Sequence, residues 1–302
     1  MKNFLAQCVK LVKELSFKIK YYYILMEFKE LTIVIVTFKS EEKIYNCLNS
    51  ISNEIPVIII ENSNNKNFKK KIEATFKNVK CILTGKNNGY SIANNIGLKL
   101  VKTKYALVLN PDTRLEKNAI KNFYISANNI KDFWLIGPAN NQNKEINFKS
   151  INFKEVENIK GFAIFFNIHK FNNEYFDENF FLYFEEIDLC KRVKNKSGKI
   201  YLDNTIIINH EGASSVSKKN ALELEKNRNW HWMWSTFYFH KKYYGFLLAL
   251  LKISPKLFSA IIKTLFYLLI FDNEKRDIYF CRLSGIFNSM IGKKSWYRPA
   301  ID

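Results

Sequence analysis

The chain has 302 residues with 47% hydrophobic content and a formal net charge of +19, which suits one large domain or a domain with an appendage. Its five cysteines are an odd number and lie far apart, which argues against a disulfide framework or a zinc knuckle and indicates a reducing compartment. The charge favours anionic partners, but the sequence holds no nucleic-acid-binding module, so no specific nucleic-acid partner is predicted.

Residues 1–30 alternate lysines with apolar residues. The lysines interrupt the apolar positions too often for a signal peptide, and the run is too short and too charged to span a bilayer. Two interpretations stay open: a basic amphipathic helix lying on a membrane, and an extension packed loosely on the body of the protein. Met26 stands just before the first clear strand, so the functional chain could begin there.

Strands and helices alternate from residue 31 to residue 109. Apolar, β-branched runs predict buried strands at 31–37, 57–60, 79–83 and 105–109. Helical spacing of apolar residues predicts helices at 40–52, 66–77 and 90–101, the first with Ser40 as its N-cap. Such alternation is typical of a parallel sheet with crossover helices.

Three of these strands end in polar residues. The ends are Thr37-Phe38, Glu61-Asn62-Ser63 and Asn110-Pro111-Asp112. The carboxyl ends of parallel strands meet at one edge of the sheet, where open α/β sheets bind ligands. A single polar strand end is usually a turn, but three together indicate a nucleotide site.

The loop around Gly89 has small residues at the start of a predicted helix. Free backbone amides there could approach a diphosphate, although Gly89 also suits a plain turn. The sequence has no Gly-x-x-x-x-Gly-Lys loop and no Gly-x-Gly-x-x-Gly segment after a strand. Both absences weaken an interpretation as an ATPase or a dinucleotide-dependent dehydrogenase.

Three carboxylates, Glu185, Glu186 and Asp188, follow an aromatic run. Burying them unpaired would be costly, so they should face water, a metal or a substrate. Glu186 is the candidate general base, whereas Asp188 can pair with Arg192 one helical turn later. A helix N-terminus, whose dipole favours acids, explains the cluster equally well.

Further short strands are predicted at 159–166, 200–202 and 205–210. The last ends in His210. A lone histidine at a strand end often has no special role, but a neutral imidazole is a common metal ligand. Magnesium or manganese held by Asp112 and His210 would leave positions open for two phosphate oxygens.

Taken in order, these motifs resemble those of the family 2 inverting glycosyltransferases, and most closely their rhamnosyltransferase-like branch. The resemblance covers roughly residues 31–245 and rests on Val36–Ser40, Glu61–Ser63, Asn87–Gly97, Leu109–Asp112, Gly161–Ala163, Phe181–Arg192 and His210. Three positions depart from the commonest pattern. Glu61 and Glu186 each replace an aspartate, and Asn110 replaces the first aspartate of the DXD-type motif.

The resemblance implies an α/β fold: a glycosyltransferase-A, Rossmann-like mixed sheet flanked by helices, with a C-terminal helical extension. The implied organisation is a basic amphipathic extension at 1–30, a catalytic domain at 31–235 and a helical region at 236–302 that is a candidate for membrane association.

The resemblance also implies the roles of site residues. Glu186 would be the catalytic base, and Asp112 and His210 would bind Mg²⁺ or Mn²⁺. The implied donor-binding residues are Thr37, Phe38, Glu61, Asn62, Gly89, Asn95, Asn110, Asp112, Gly161 and Phe162.

The implied activity is metal-dependent, inverting transfer of a hexosyl group from a nucleotide-diphosphate sugar to a glycan or polyprenyl-linked acceptor in cell-surface polysaccharide synthesis. Rhamnose is suggested by kinship alone. One alternative is a nucleotidyltransferase that makes a nucleotide-sugar, which would need a Gly-rich, Arg-bearing loop where Phe38 to Glu42 stand. The other is a non-catalytic sugar-nucleotide-binding protein, which would not need Asp112, Glu186 and His210.

The C-terminal region is aromatic and then apolar. Trp230 and Trp234 share a helical face next to lysine pairs, which suits a bilayer interface or core packing on the catalytic domain. Residues 246–271 are strongly apolar but interrupted by lysines and Pro255, so they do not predict a clean span. We expect hairpin-like helices that dock on an anionic membrane, with a cytoplasmic protein peripheral to the inner membrane. A soluble tail used for homodimer contacts is the alternative.

Overall fold

The computed structural model describes residues 29–139, 152–210 and 218–298. The predicted N-terminal extension therefore lies, except for its last two residues, outside the described residues, and so does Met26. The four described cysteines are free and buried.

Ten strands are described. They are β1 Leu31–Thr37, β2 Val57–Glu61, β3 Val79–Leu83, β4 Tyr105–Leu109, β5 Thr113–Leu115, β6 Leu135–Pro138, β7 Phe153–Glu155, β8 Ala163–Asn167, β9 Ile200–Asp203 and β10 Ile208–His210. Eight of them form one sheet in the order β3-β2-β1-β4-β8-β6-β9-β7. The first four in this order run parallel, and β8 is antiparallel to β4. The sheet is therefore mixed, as predicted.

Seven α-helices are described. They are α1 Ile44–Asn49, α2 Lys66–Thr75, α3 Gly89–Lys99, α4 Ala119–Asn129, α5 Glu185–Asn195, α6 Lys218–Leu269 and α7 Asn273–Met290. The prediction that Ser40 caps the first helix was wrong. The N-cap is Lys43, and the Ser40 hydroxyl donates instead to the Phe38 carbonyl at 3.0 Å, which leaves residues 40–43 in a turn.

The central strands are buried on both faces because their sequences are continuously apolar. Every residue of β4 is buried, and Val34 of β1 lies opposite Val108 of β4 in the parallel register. Helices cover both faces of the sheet, as is usual for parallel strands. The carboxyl ends of the parallel strands β1, β2 and β4 therefore lie at the same edge of the sheet.

The C-terminal region is a bundle of three helical segments. Helix α6 is interrupted at Gly245, which has a φ of 79° and a ψ of 171°. The two segments of α6 pack on each other and on α7 through a buried cluster of Met233, Phe237, Ala249, Ile253 and Ile286. The hairpin-like arrangement is therefore present, and α6 runs without a break through the predicted domain boundary at residue 235.

Trp230 and Trp234 belong to the core. They are 0% and 3% exposed and stack on each other with ring centroids 6.5 Å apart. Their indole nitrogens donate to the Ser284 hydroxyl and the Lys293 carbonyl. Core packing is therefore observed for this pair, but within the C-terminal bundle, with Cys281 and Tyr297, whereas the prediction placed it on the catalytic domain.

A buried acid joins the bundle to the sheet domain. Asp188 is fully buried, pairs with Arg192 at 2.7 Å as predicted, and also accepts from Lys242 and Tyr243 at 2.6 and 2.8 Å. Removing one member of a buried ionic network is costly because the charges that remain would be left unpaired. The contact therefore holds the start of α5 against α6.

The second segment of α6 and the outer face of α7 leave many large apolar side chains exposed. Leu247, Leu251, Ile262, Leu269 and Phe271 are each at least 65% exposed. Within the described ranges, Ala221–Leu269 is long and apolar enough to cross a membrane by length and composition, with an 18-residue window of mean hydropathy 1.7 that is 17% buried.

Candidate active site

Asp112 and His210 meet at the carboxyl edge of the sheet. Strand β10 pairs antiparallel with β5 in a small separate sheet, and this register sets His210 opposite Thr113. His210 Nε2 then lies 3.2 Å from Asp112 Oδ1. Both side chains are about one-fifth exposed, at 20% and 17%, so a ligand can reach them.

Phe162 and Asn110 support this pair. The ring of Phe162 lies parallel to the imidazole of His210, with centroids 4.9 Å apart and an 8° angle between planes. The Asn110 amide donates to the Phe162 carbonyl at 2.9 Å, and the Thr113 hydroxyl donates to the Asn110 carbonyl at 2.7 Å. The strand ends that bear Asp112 and Phe162 are thus hydrogen-bonded to each other.

The Asp112–His210 pair has the chemistry of a divalent cation site. Burial raises the pKa of Asp112, but the hydrogen bond and charge of His210 outweigh it, so the net pKa lies below the ordinary value and the carboxylate is ionised. Carboxylate oxygen and imidazole nitrogen suit Mn²⁺ and accept Mg²⁺. Across the described ranges, no group of three or more metal-ligating side chains occurs. The pair therefore fits an ion that takes its remaining ligands from substrate and water.

Glu186 lies beside Gly161 at the start of α5. A Cβ on residue 161 would lie 3.6 Å from the Glu186 side chain, which is an ordinary van der Waals contact, so the two residues are direct neighbours. The Gly161 carbonyl accepts from the Tyr90 hydroxyl at 2.7 Å. Burial raises the pKa of Glu186, which suits a proton acceptor near neutral pH.

The neighbouring Glu185 is more deeply buried than Glu186. It is 6% exposed, and its Oε2 has no hydrogen-bond partner among the described residues. Burial, followed by the charge of Glu186, raises the pKa of Glu185 well above its ordinary value. The two residues before these acids, Tyr183 and Phe184, have left-handed backbone conformations, and Phe184 is the N-cap of α5.

A cavity of about 240 Å³ lies at the ends of β1, β2 and β4, and its wall includes Asn110 and Pro111, which directly precede Asp112. Four predicted donor-binding residues line it: Phe38, Asn62, Gly89 and Asn110. Phe181, Asn227 and Arg228 are also part of its wall. The strand ends and the C-terminal helix therefore enclose one space.

Asn62 and Gly89 shape one side of this cavity. The Asn62 amide donates to the Gly89 carbonyl at 3.0 Å, and its oxygen accepts from the Asn88 amide at 3.2 Å. Gly89 has a φ of +78°, and a Cβ there would lie 2.5 Å from the Phe181 ring. Only glycine tolerates both this conformation and this approach.

Thr37 and Glu61 sit at paired strand ends. The Thr37 carbonyl accepts from the Asn62 amide at 2.8 Å, and its hydroxyl is buried without a partner among the described residues. The Glu61 carboxylate is 1% exposed and accepts from Ser63 and Asn65 backbone amides at 2.9 and 2.6 Å. The Ser63 hydroxyl donates to the same oxygen as the Ser63 amide, so the Glu61 carboxylate fixes its own loop.

Asn95 does not join the other predicted residues. Its amide group donates to the Phe176 carbonyl and accepts from the Phe176 amide, both at 2.9 Å, and it also donates to Glu178 at 3.0 Å. The Asn95 side chain therefore pairs with the backbone of Phe176 as a peptide group of a neighbouring strand would, and this pairing holds the 176–178 loop in place. Direct contact between Asn95 and a donor stays a prediction that this geometry does not favour.

Arg228 and Asn227 are site residues that the sequence did not indicate. They lie on α6, far along the chain from the strand ends, and reach the cavity only because α6 docks on the sheet domain. The aromatic, basic composition of residues 227–245 was the available signal, and it suggested a membrane interface instead. Arg228 places a cation in the wall of a cavity that is otherwise neutral.

Comparison with known proteins identifies the family of the chain. A family model described as "Glycosyl transferase family 2" matches residues 32–190. The chain therefore belongs to glycosyl transferase family 2, and it has the glycosyltransferase-A fold with a C-terminal helical part.

Two curated relatives share part of their sequence with the chain. It is 28% identical over 195 residues to the low-salt glycan biosynthesis hexosyltransferase Agl10 of Haloferax volcanii, covering 56% of this chain and 62% of that protein. It is 32% identical over 117 residues to a teichoic acid poly(glycerol phosphate) polymerase of Staphylococcus epidermidis, covering 36% of this chain and 16% of that protein. The chain thus spans less than two thirds of either relative.

Two solved structures share the fold. GalNAc-T7, crystallised with UDP, GalNAc and Mn²⁺, superposes with a TM-score of 0.51 at 12% identity, over 68% of this chain and 50% of that chain. TarS of S. aureus superposes with a TM-score of 0.50 at 12% identity, over 86% of this chain and 55% of that chain. At such identities the likeness concerns the fold alone.

Proposed function

We propose that the protein transfers a hexosyl group, with inversion, from a nucleoside-diphosphate sugar to a hydroxyl of a glycan or lipid-linked acceptor in cell-surface polysaccharide synthesis. The observation that carries the proposal is the approach of His210 to Asp112 at 3.2 Å, beside a cavity lined by Phe38, Asn62 and Gly89. The relatives named for hexosyl transfer and for teichoic acid synthesis support the substrate class. Rhamnose is the first sugar to test.

The donor would occupy the cavity at the carboxyl ends of the strands. Thr37, Phe38 and Glu61 would hold the nucleobase and ribose, and Gly161 with Phe162 would form the floor under the sugar. Arg228 adds a positive charge in the cavity wall, which attracts a diphosphate electrostatically. The same side chains suit uridine and deoxythymidine diphosphates.

Asp112 and His210 would hold Mg²⁺ or Mn²⁺, and the bound cation would offset the negative charge that builds on the diphosphate. The protein must keep the side chains of these two metal ligands close together. The hydrogen-bonded turn at Asn110 and the ring of Phe162 do this.

Glu186 would accept the proton of the attacking acceptor hydroxyl. A carboxylate with a raised pKa binds that proton more strongly than an exposed glutamate does. The hydroxyl oxygen would then attack the anomeric carbon from the side opposite the diphosphate, which inverts the configuration. Gly161 is a direct neighbour of Glu186, so the floor under the sugar would adjoin the base.

The protein would work at the cytoplasmic face of the membrane, where lipid-linked acceptors are held. Support comes from the exposed apolar side chains of residues 246–271 and the net charge of +19. In this proposal residues 31–235 carry the chemistry and residues 236–302 carry the contact with lipid. The ion pair between Asp188 and Lys242 would hold these two parts of the protein in a fixed orientation.

A donor screen tests the proposal. The full chain is incubated with Mn²⁺ and each of a set of nucleoside-diphosphate sugars, and the melting temperature is measured, because a bound donor stabilises the folded state by mass action. We expect one nucleotide series to raise the melting temperature and its sugar to be released or transferred. No shift with any donor, and no turnover, would overturn the proposal.

A further inference from the structure

An apolar groove of about 480 Å³ lies between the second segment of α6 and α7, away from the donor cavity. Its wall includes Leu257 and Ile261 of α6 and Phe280, Phe287 and Met290 of α7. The groove opens to the surface, since Phe280 and Phe287 are each 61% exposed. Its volume lies in the range of small-ligand sites.

The polar side chains of the groove are already paired within the bundle. Asn288 donates to the Ser284 carbonyl at 2.8 Å and accepts from the Trp296 indole at 2.9 Å. The Ser284 hydroxyl accepts from the Trp230 indole at 3.1 Å. The groove therefore offers its occupant apolar contact and no unmet hydrogen bond, which suits a hydrocarbon chain.

The surface around the groove suits an anionic lipid. Residues 246–271 contain three lysines and no acidic residue. The three, Lys252, Lys256 and Lys263, lie over the rings of Tyr244, Trp232 and Tyr279 at 5.0 to 5.5 Å. Such cations can keep contact with headgroups while their stems cover apolar surface. Helix α7 adds Lys275, Arg276 and Arg282 against Glu274 and Asp277, so the helix pair keeps a net positive charge and a second copy would face net like charge.

One helix contributes to both the groove and the donor cavity. Leu257 and Ile261 of α6 line the groove, and Asn227 and Arg228, nearer the start of the same helix, line the cavity. A lipid held in the groove is therefore bound by the same helix that lines the donor cavity. This continuity favours the acceptor lipid over an ordinary bilayer lipid.

We propose that the groove between α6 and α7 binds the aliphatic chain of a lipid-linked acceptor. The inference rests on the proposed function for the identity of that lipid. It assigns a binding site to the aliphatic part of the acceptor, which does not react. The binding energy of this aliphatic part would help to position the acceptor hydroxyl.

The test uses a matched pair of neighbouring residues. Ile261 lines the groove and is 37% exposed, whereas Ile262 is not among the lining residues and is 65% exposed. Ile261→Trp fills the groove, and Ile262→Trp adds the same bulk outside it. The probe is geranylgeranyl phosphate, measured by displacement of cis-parinaric acid from the full chain without any nucleotide-sugar. Flotation with phosphatidylglycerol vesicles is measured in parallel.

We expect Ile261→Trp to weaken probe binding at least about tenfold while flotation stays at the wild-type level, and Ile262→Trp to change neither. Equal probe affinity in all three proteins would overturn the inference, and so would joint loss of probe binding and flotation in Ile261→Trp. Met290→Trp, which fills the other end of the groove, replaces Ile261→Trp in the test if Ile261→Trp does not fold. Because no donor is present, failure here leaves the proposed transferase activity standing, and failure of the donor screen leaves this result standing.

Discussion

The ring of Phe162 covers one face of the His210 imidazole, with 4.9 Å between centroids and 8° between planes. The contact links β8 to β10, which are otherwise in separate sheets. It fixes the plane in which the imidazole can turn toward Asp112. A metal ligand that is held in this way loses little freedom when the ion binds.

Replacing Phe162 by leucine should therefore loosen His210 without emptying the core. We expect the Mn²⁺ concentration for half-maximal activity to rise about 10-fold, as is typical when a group that orients a metal ligand is lost. The measurement is a Mn²⁺ titration of transfer activity. Phe171→Leu, a buried phenylalanine away from the site, is the control. Equal metal requirements in all three proteins would exclude this role for Phe162.

Asp112→Ala should abolish transfer and leave the fold intact. Loss of one preorganised group that stabilises the leaving diphosphate costs about 3 kcal/mol of barrier, or roughly 100-fold in rate. Initial rates and the far-ultraviolet circular dichroism spectrum measure the two effects. Glu157→Ala, at an 80% exposed side chain, should behave as the wild type. Turnover near the wild-type rate in Asp112→Ala would remove this residue from the mechanism.

Glu186→Gln should separate donor binding from transfer. The amide keeps the size of the side chain but cannot accept a proton at neutral pH, so we expect a rate loss of about 10²–10⁴-fold with donor affinity unchanged. Donor affinity is measured by the rise in melting temperature and transfer by product formation. If transfer persists, Glu185 is the next candidate, since its carboxylate is adjacent and has an unpaired oxygen.

The pH profile should report the ionisation of Glu186. The base is active when ionised, so transfer rises with pH through its pKa, and burial raises that pKa above the ordinary 4.5. The charge of Lys160 opposes this shift. Lys160→Met should therefore move the acid limb of kcat/KM to still higher pH. An acid limb at or below 4.5, or one that Lys160→Met moves to lower pH, would contradict the assignment.

His231 should make stability depend on pH. It is fully buried, stacks on Phe181 and hydrogen-bonds the Tyr297 carbonyl at 2.9 Å. Burial lowers its pKa from 6.5 to about 3, so the unfolded chain binds a proton first as the pH falls. The stabilisation is complete above pH 6.5 and declines from there toward pH 3, by at most about 1.4 kcal/mol per pH unit.

The difference between wild type and His231→Asn in urea unfolding at several pH values isolates this effect. The free energy of unfolding of the wild type should fall more steeply than that of the variant between pH 6.5 and 4. His169→Asn, at an exposed position, is the matched control and should keep the wild-type slope. Parallel curves for wild type and His231→Asn would show that His231 is not buried in its neutral form.

Much of the sheet domain follows from local sequence. Continuous apolar runs predict β1 to β4 because strands buried on both faces need no alternation. The start of α1 was misplaced because Ser40 has a capping side chain, yet its hydroxyl bonds backwards to Phe38. Local propensity cannot distinguish a cap from a turn when both use the same hydroxyl.

The candidate site follows from sequence only where the residues stand at strand ends. The end of β4 could be placed at the ligand-binding edge, whereas the approach of His210 to Asp112 depends on the antiparallel pairing of β10 with β5, which local sequence does not reveal. Arg228 could not be placed there either, since its approach depends on how α6 docks through Asp188 and Lys242. Asn95 fits the motif of a donor-binding loop, but its side-chain amide hydrogen-bonds the 176–178 loop, which lies far along the chain.

Binding of Mn²⁺ with a nucleoside diphosphate tests the central claim most directly. The free-ion electron paramagnetic resonance signal of Mn²⁺ is followed as the full chain is added with uridine or deoxythymidine diphosphate present. The account predicts that the wild type removes the signal with one ion per chain, and that Asp112→Ala and His210→Ala each weaken this binding at least about tenfold. Ion binding as tight in both variants as in the wild type would contradict it.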